Sequence, residues 1–208
     1  MMICLVTDRR QRSPIEQAHE AAAAGIDLIH IRERDLEAGE LAALTAGVVD
    51  ATRGSATRVV VNDRMDVAVA CGADGVQLRG DSMPAARVRT MAPDGFLIGC
   101  SVHAAGEAVA AARAADYLIA GTVFPTTSKP GLTGVLGLQG LAAVAQAVSV
   151  PVLAIGGMSV ERAAAVAAAG AGGLAALSLF ADPHRPIKDV VRQIRERFNI
   201  GVDSPHQR

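Results

Sequence analysis

The sequence has no tryptophan, a single tyrosine and only four phenylalanines among its 208 residues. Half the chain is apolar and 21 residues are glycine. The core must therefore come from small and branched aliphatic side chains, which suits helices packed closely on a parallel sheet. Neither sign of charge is in excess: 20 Lys and Arg against 21 Asp and Glu leave a net charge of −1. That removes any broad electrostatic attraction to nucleic acid or membrane. Cysteine is sparse too. Cys4, Cys71 and Cys100 are odd in number, far apart and set among apolar neighbours, the pattern of buried thiols rather than of a disulfide framework. The opening MMICLVTD lacks the basic flank of a signal peptide. No apolar run reaches the length of a membrane span without Gly or charge interrupting it. A soluble cytoplasmic protein is the expectation.

What the chain does have is a regular alternation. Short apolar runs at 3–7, 28–32, 58–62, 75–78, 97–102, 117–121, 151–156 and 174–179 read as strands. Between and after them, Ala-rich amphipathic segments at 14–24, 36–53, 64–71, 84–91, 104–114, 137–147, 159–169 and 185–198 read as helices. Eight strand–helix units without reversal predict an α/β fold, a single-domain (β/α)8 TIM barrel over residues 1–199, and argue against an open doubly wound sheet. Residues 200–208 read as a polar tail. Ser13-Pro14 opens the first helix as cap and first-turn proline, and Ser159 with Arg162 opens the seventh. GIDLI, GADGV, AADYL and GAGGL place Gly or Asp between a helix end and the next strand, as C-caps do.

In such a barrel chemistry gathers where strands exit at their carboxyl ends. The sixth strand empties into GTVFPTTSKPG, a loop with the hydroxyls Thr126, Thr127 and Ser128, the cation Lys129, and the prolines Pro125 and Pro130. After the second strand, alternation puts His30, Arg32 and Arg34 on one face and Ile31 and Glu33 on the other. Three cations on one face make an anion clamp suited to phosphate oxygens, in preference to a merely solvated charge cluster. Asn62-Asp63 ends the third strand, where the Asp is either a magnesium or amine ligand or the cap of the next helix. Past the fourth strand, Gln77 leads to Asp81 and Ser82, with Asp81 a second carboxylate for the same cation. The fifth strand leaves through Ser101 and His103, and the latter is as much a loop residue as a catalyst. Gly156-Gly157 lets backbone amides approach a ligand, and beside Ser178 at the end of the eighth strand this points to a phosphate site. Two anion cradles would then face one mouth, with Lys129 able to bridge them.

CLVTD, HIRERD, VNDRMDVA, GADGVQL, IGCSVH, GTVFPTTSKPG, PVLAIGG and GAGGLAALS, in this order over residues 3–180, together resemble the thiamine-phosphate synthase and thiazole tautomerase superfamily. The resemblance implies a TIM barrel in thiamine biosynthesis that binds a thiazole phosphate. In the synthase, hydroxymethylpyrimidine diphosphate loses pyrophosphate with the help of Mg2+, and the thiazole nitrogen attacks the methylene. By motif, Arg32 holds the diphosphate with Asn62, Ser101 and Lys129, and Asp63 holds the metal. The resemblance likewise implies that Thr126, Ser128, Gly157, Leu177 and Ser178 would hold the thiazole phosphate. His30 and Arg34 stand where the synthase has Gln and Lys, and Gln77 stands where it has His. Ser82 falls where its second metal-binding Asp belongs, with Asp81 one residue early. HIRER and VQL look more like the tautomerase branch, but that branch's catalytic His is Thr122 here. The intact Asn62-Asp63 pair and PTTSK favour the synthase, with a tautomerase or a non-catalytic thiazole-phosphate-binding barrel as alternatives. Small phosphorylated substrates and a homodimer are the expected partners.

Overall fold

Alternation is the local rule from which the barrel follows. In β1 (Met2–Val6), Ile3 and Leu5 join one buried apolar cluster, whereas Cys4 and Val6 join another. The same parity holds in β2 (Leu28–Ile31), where Ile29 and Ile31 pack on one side and Leu28 on the other. The larger cluster lies between strands and helices; the smaller fills the space inside the ring. The remaining strands are β3 (Arg58–Asn62), β4 (Gly75–Leu78), β5 (Leu97–Val102), β6 (Tyr117–Gly121), β7 (Val152–Ile155) and β8 (Gly173–Ala176). All pair in parallel with their sequence neighbours, and β8 returns to β1 through Met2↔Gly173 to close the barrel. This computed structural model describes residues 1–126 and 134–202.

The helices are α1 (Pro14–Ala24), α2 (Ala38–Ala51), α3 (Met65–Ala70), α4 (Ala85–Arg89), α5 (Ala105–Ala111), α6 (Gly137–Gln146), α7 (Ala163–Ala168) and α8 (Ile187–Val202). Ser13 caps α1 by accepting the Glu16 amide, and Gly25 ends that helix in the left-handed region at φ 73°. The aspartates of the helix-to-strand turns have a different task from the glycines. Asp27 accepts the amide of Ile3, Asp74 that of Val59, and Asp116 that of Ile98, each at 2.7 to 2.8 Å. Each carboxylate thus ties the foot of its own strand to the foot of the strand before it.

Several expected boundaries shift, among them α5, which ends at Ala111 rather than residue 114. The eighth strand stops at Ala176, because Leu177 turns into the helical region and Ser178–Phe180 form a 3-10 helix. The seventh helix starts at Ala163, after a turn in which the Ser159 carbonyl accepts the Arg162 amide. The last helix runs on to Val202, into the segment expected to be a polar tail. Its apolar face continues that far, with Phe198 and Gly201 buried. No described helix is long and apolar enough to cross a membrane.

Candidate active site

At the carboxyl ends of the strands the barrel opens into a cavity of about 470 Å³, a size suited to a small ligand. Its lining follows strand parity. Val6, His30, Ile119 and Ala175 continue the inward rows, then Arg32, Arg34, Asn62, Arg79 and Ser101, and on the far side Ile155, Gly157 and Leu177. Thr122, Thr126 and Ser178 also line it, as do Asp81 and His103. Arg32 and Ser178 therefore face one chamber, and the two expected cradles share a mouth. Ser128 and Lys129 lie outside the described residues, as does Thr127.

The basic side differs from its expected composition. His30 is 4% exposed, and among the described residues neither ring nitrogen has a hydrogen-bond partner, although Asn62 lies beside it. Burial, then the nearby Arg32 charge, pushes its pKa down to about 3. The imidazole is therefore neutral near pH 7 and is not one of three cations. The third cation is Arg79, which sequence reasoning passed over. Burial first, then the charges of Arg34 and Arg79, pulls the Arg32 guanidinium below its ordinary value. Parity could have found Arg79, because it stands two residues after Gln77 on the same inward row.

The expected carboxylates meet through that same arginine. Asp63 sits at φ 63°, a left-handed conformation that Asp tolerates better than most residues. It lines a smaller side cleft of about 240 Å³ rather than the main cavity, and Arg34, Asn62 and Arg79 border both spaces. The Arg79 guanidinium lies 3.6 Å from Asp63 Oδ2 and donates to Asp81 Oδ2. Contact with Arg79 holds the Asp81 carboxyl below its usual range. Ser82 is not the second acid's stand-in: its Oγ accepts the Arg79 amide at 2.7 Å and closes the loop. Asp81 lines the main cavity and Asp63 the side cleft, with Arg79 between them. Carboxylate oxygens are the hard donors that suit Mg2+, an ion that keeps several waters and takes further ligands from substrate phosphates. Among the described residues no group of three or more His, Cys, Asp or Glu converges.

Supporting contacts hold these groups in place. Gln77, fully buried, donates to Ser101 Oγ at 3.1 Å. Glu33 accepts the Thr7 hydroxyl at 2.7 Å, the Arg9 amide at 3.0 Å and the Arg9 guanidinium at 3.2 Å. Thr7 Oγ1 in turn accepts the Arg32 amide at 3.1 Å. His103 lines the cavity, with Glu107 accepting its backbone amide at 2.7 Å and lying 3.3 Å from its Nδ1.

On the opposite wall Gly156 and Gly157 have φ 99° and 61°. A Cβ on Gly157 would fall 2.5 Å from the Pro125 carbonyl oxygen, and one on Gly156 would fall 2.4 Å from Thr122 Cγ2. Glycine is required by both conformation and space. Arg162 fastens this turn: it lies over the Phe124 ring, 4.5 Å from the centroid, and donates to the Gly157 carbonyl. The 3-10 helix then presents Ser178 beside the turn.

Residues 3–180 match the family model described as thiamine monophosphate synthase. A thiamine-phosphate synthase from Methanoculleus marisnigri is 38% identical over 198 residues, covering 93% of each chain. One from Roseiflexus castenholzii is 40% identical over 181 residues, covering 85% of this chain and 79% of the relative. Among solved structures, a thiamine phosphate pyrophosphorylase from Pyrococcus furiosus aligns with a TM-score of 0.85 at 32% identity, covering 97% of this chain and 96% of its own.

Proposed function

This chain belongs to the thiamine monophosphate synthase family, and from that footing we propose how its mouth joins hydroxymethylpyrimidine diphosphate to thiazole phosphate. The activity is that of a thiamine-phosphate synthase, a transferase that releases pyrophosphate. The carbon–oxygen bond between the pyrimidine methylene and the diphosphate breaks, the diphosphate leaves with the bonding pair, and the thiazole nitrogen forms the new bond to that methylene. The observation that carries the assignment of roles is the shared cavity: an arginine cluster on one wall and an amide-and-hydroxyl turn on the other.

Arg32, with Arg34 and Asn62, takes the diphosphate, and the charge that develops on it is met by groups already in place. Ser101, steadied by Gln77, and Lys129, assigned by motif, assist at the same end. Gly157, Leu177 and Ser178, with Thr126 and, by motif, Ser128, hold the thiazole phosphate. His30, buried and neutral, offers its unpartnered nitrogens to a ring resting on the apolar floor of Val6, Ile119 and Ala175. Asp63 and Asp81 are the residues that would hold Mg2+, which when bound neutralises the diphosphate as a leaving group. The three free cysteines accord with action in a reducing cytoplasm.

Incubating the purified protein with both phosphorylated precursors and Mg2+ is expected to yield thiamine phosphate and pyrophosphate in equal amounts. Asp63→Ala should lower turnover on the order of a hundredfold or more, as loss of a charge-stabilising group does. Product formed at the wild-type rate by that variant would remove Asp63 from the metal role.

A further inference from the structure

The carboxylate pair already has a cation between its members. Arg79 approaches Asp63 Oδ2 at 3.6 Å and donates to Asp81 Oδ2, while its backbone amide is fixed by Ser82 Oγ. The side chain borders both the main cavity and the side cleft, so it stands on the wall that separates Asp63 from the chamber. Arg32 and Arg34 line the same chamber. Arg34 and Arg79 each disfavour the charged form of Arg32. The Asp63 and Asp81 carboxylates make their ion pairs with Arg79, while Arg34 acts on Asp81 from farther off. The side chain is about one-third exposed, so solvent permits it to move.

We infer that Arg79 is the resident counter-ion of the Asp63–Asp81 pair, and that a divalent cation enters by displacing its guanidinium toward the diphosphate. The inference rests on the assignment of that pair to Mg2+. Two like charges cannot occupy the same two carboxylates without mutual cost, so ion and guanidinium compete for the groups that Arg79 now contacts. Once released, Arg79 is a third fork for phosphate oxygens beside Arg32 and Arg34. Metal and diphosphate then help each other bind beyond their direct attraction, because the first frees a group the second uses, and the coupling is reciprocal.

The test reads metal binding to the free protein, with no turnover involved. Mn2+ is titrated by electron paramagnetic resonance into wild type, Arg79→Gln and Arg34→Gln, with and without inorganic pyrophosphate. Arg34 is the control because it borders the same spaces and has no ion pair with either carboxylate among the described residues. Without pyrophosphate, Arg79→Gln is expected to bind Mn2+ about tenfold more tightly, equivalent to about 1.4 kcal/mol, and Arg34→Gln less than about twofold. Pyrophosphate should strengthen Mn2+ binding less in Arg79→Gln than in wild type. Unchanged or weaker Mn2+ binding by Arg79→Gln would overturn the competition, and equal gains in both variants would reduce it to a general field effect. Circular dichroism of the two variants shows that each is folded. Failure of the synthase reading would appear separately, as absence of product from the two precursors with wild-type protein.

Discussion

At the scale of single residues, the burial of His30 reshapes the site's electrostatics. The folded protein holds the imidazole neutral down to about pH 3, whereas the unfolded chain protonates it near 6.5. Between those values the unfolded state binds more protons, so stability is full above about pH 6.5 and is lost as pH falls toward 3. The slope approaches about 1.4 kcal/mol per pH unit at its steepest. Urea denaturation of wild type and His30→Gln at pH 7, 6 and 5 should therefore diverge, with the variant losing less on acidification. Parallel curves would mean that His30 is solvated. Sequence alone supplied the inward position of His30, through alternation, but not its charge. A strand-end His reads as a potential cation until its burial and its neighbouring arginine are known.

At the scale of elements, Glu33 locks the loop after β1 to the loop after β2. Its side chain is 3% exposed, and it binds Thr7 and Arg9 while Thr7 supports the Arg32 amide. Glu33→Ala would leave a buried hydroxyl and an amide without their acceptor, at a cost of about 2 to 3 kcal/mol. Chemical denaturation should register that loss, and the apparent KM for the pyrimidine diphosphate should rise as Arg32 loses its support. A KM identical to wild type would confine Glu33 to stability. The sequence placed Glu33 on the face opposite Arg32, and it is absent from the main cavity's lining, although it borders the side cleft. Its partners come from another strand's exit, and no local pattern announces a contact between residues 26 apart.

At the scale of the whole molecule, the barrel keeps stability at one end and chemistry at the other. Asp27, Asp74 and Asp116 tie adjacent strand feet, and arginines brace two of them. Arg195 reaches Asp27 and the Gly25 carbonyl, while Arg89 reaches Asp116 and the carbonyls of Phe96 and Ala114. Asp116→Ala should cost about 1 to 3 kcal/mol, since it leaves the Ile98 amide unpaired. Its KM values should stay within about twofold of wild type, because no catalytic group touches that end. A large change in KM with unchanged folding stability would contradict this division of labour.

The order of apolar runs and their period of two determined the eight strands, their inward rows and hence most of the cavity wall. The reason is that alternation assigns each side chain a face before any neighbour is known. Residue type and position were enough to nominate Arg32, Asn62, Asp63, Ser101, Gly157 and Ser178 as candidates. Tertiary structure alone decided which of them meet. Parallel pairing of β3 with β4 brought their exits side by side and put the Arg79 guanidinium between Asp63 and Asp81. Packing inside the ring buried His30, which favours its neutral form. Those outcomes depend on distance across strands and on exclusion of water, and neither quantity is written in the chain's order.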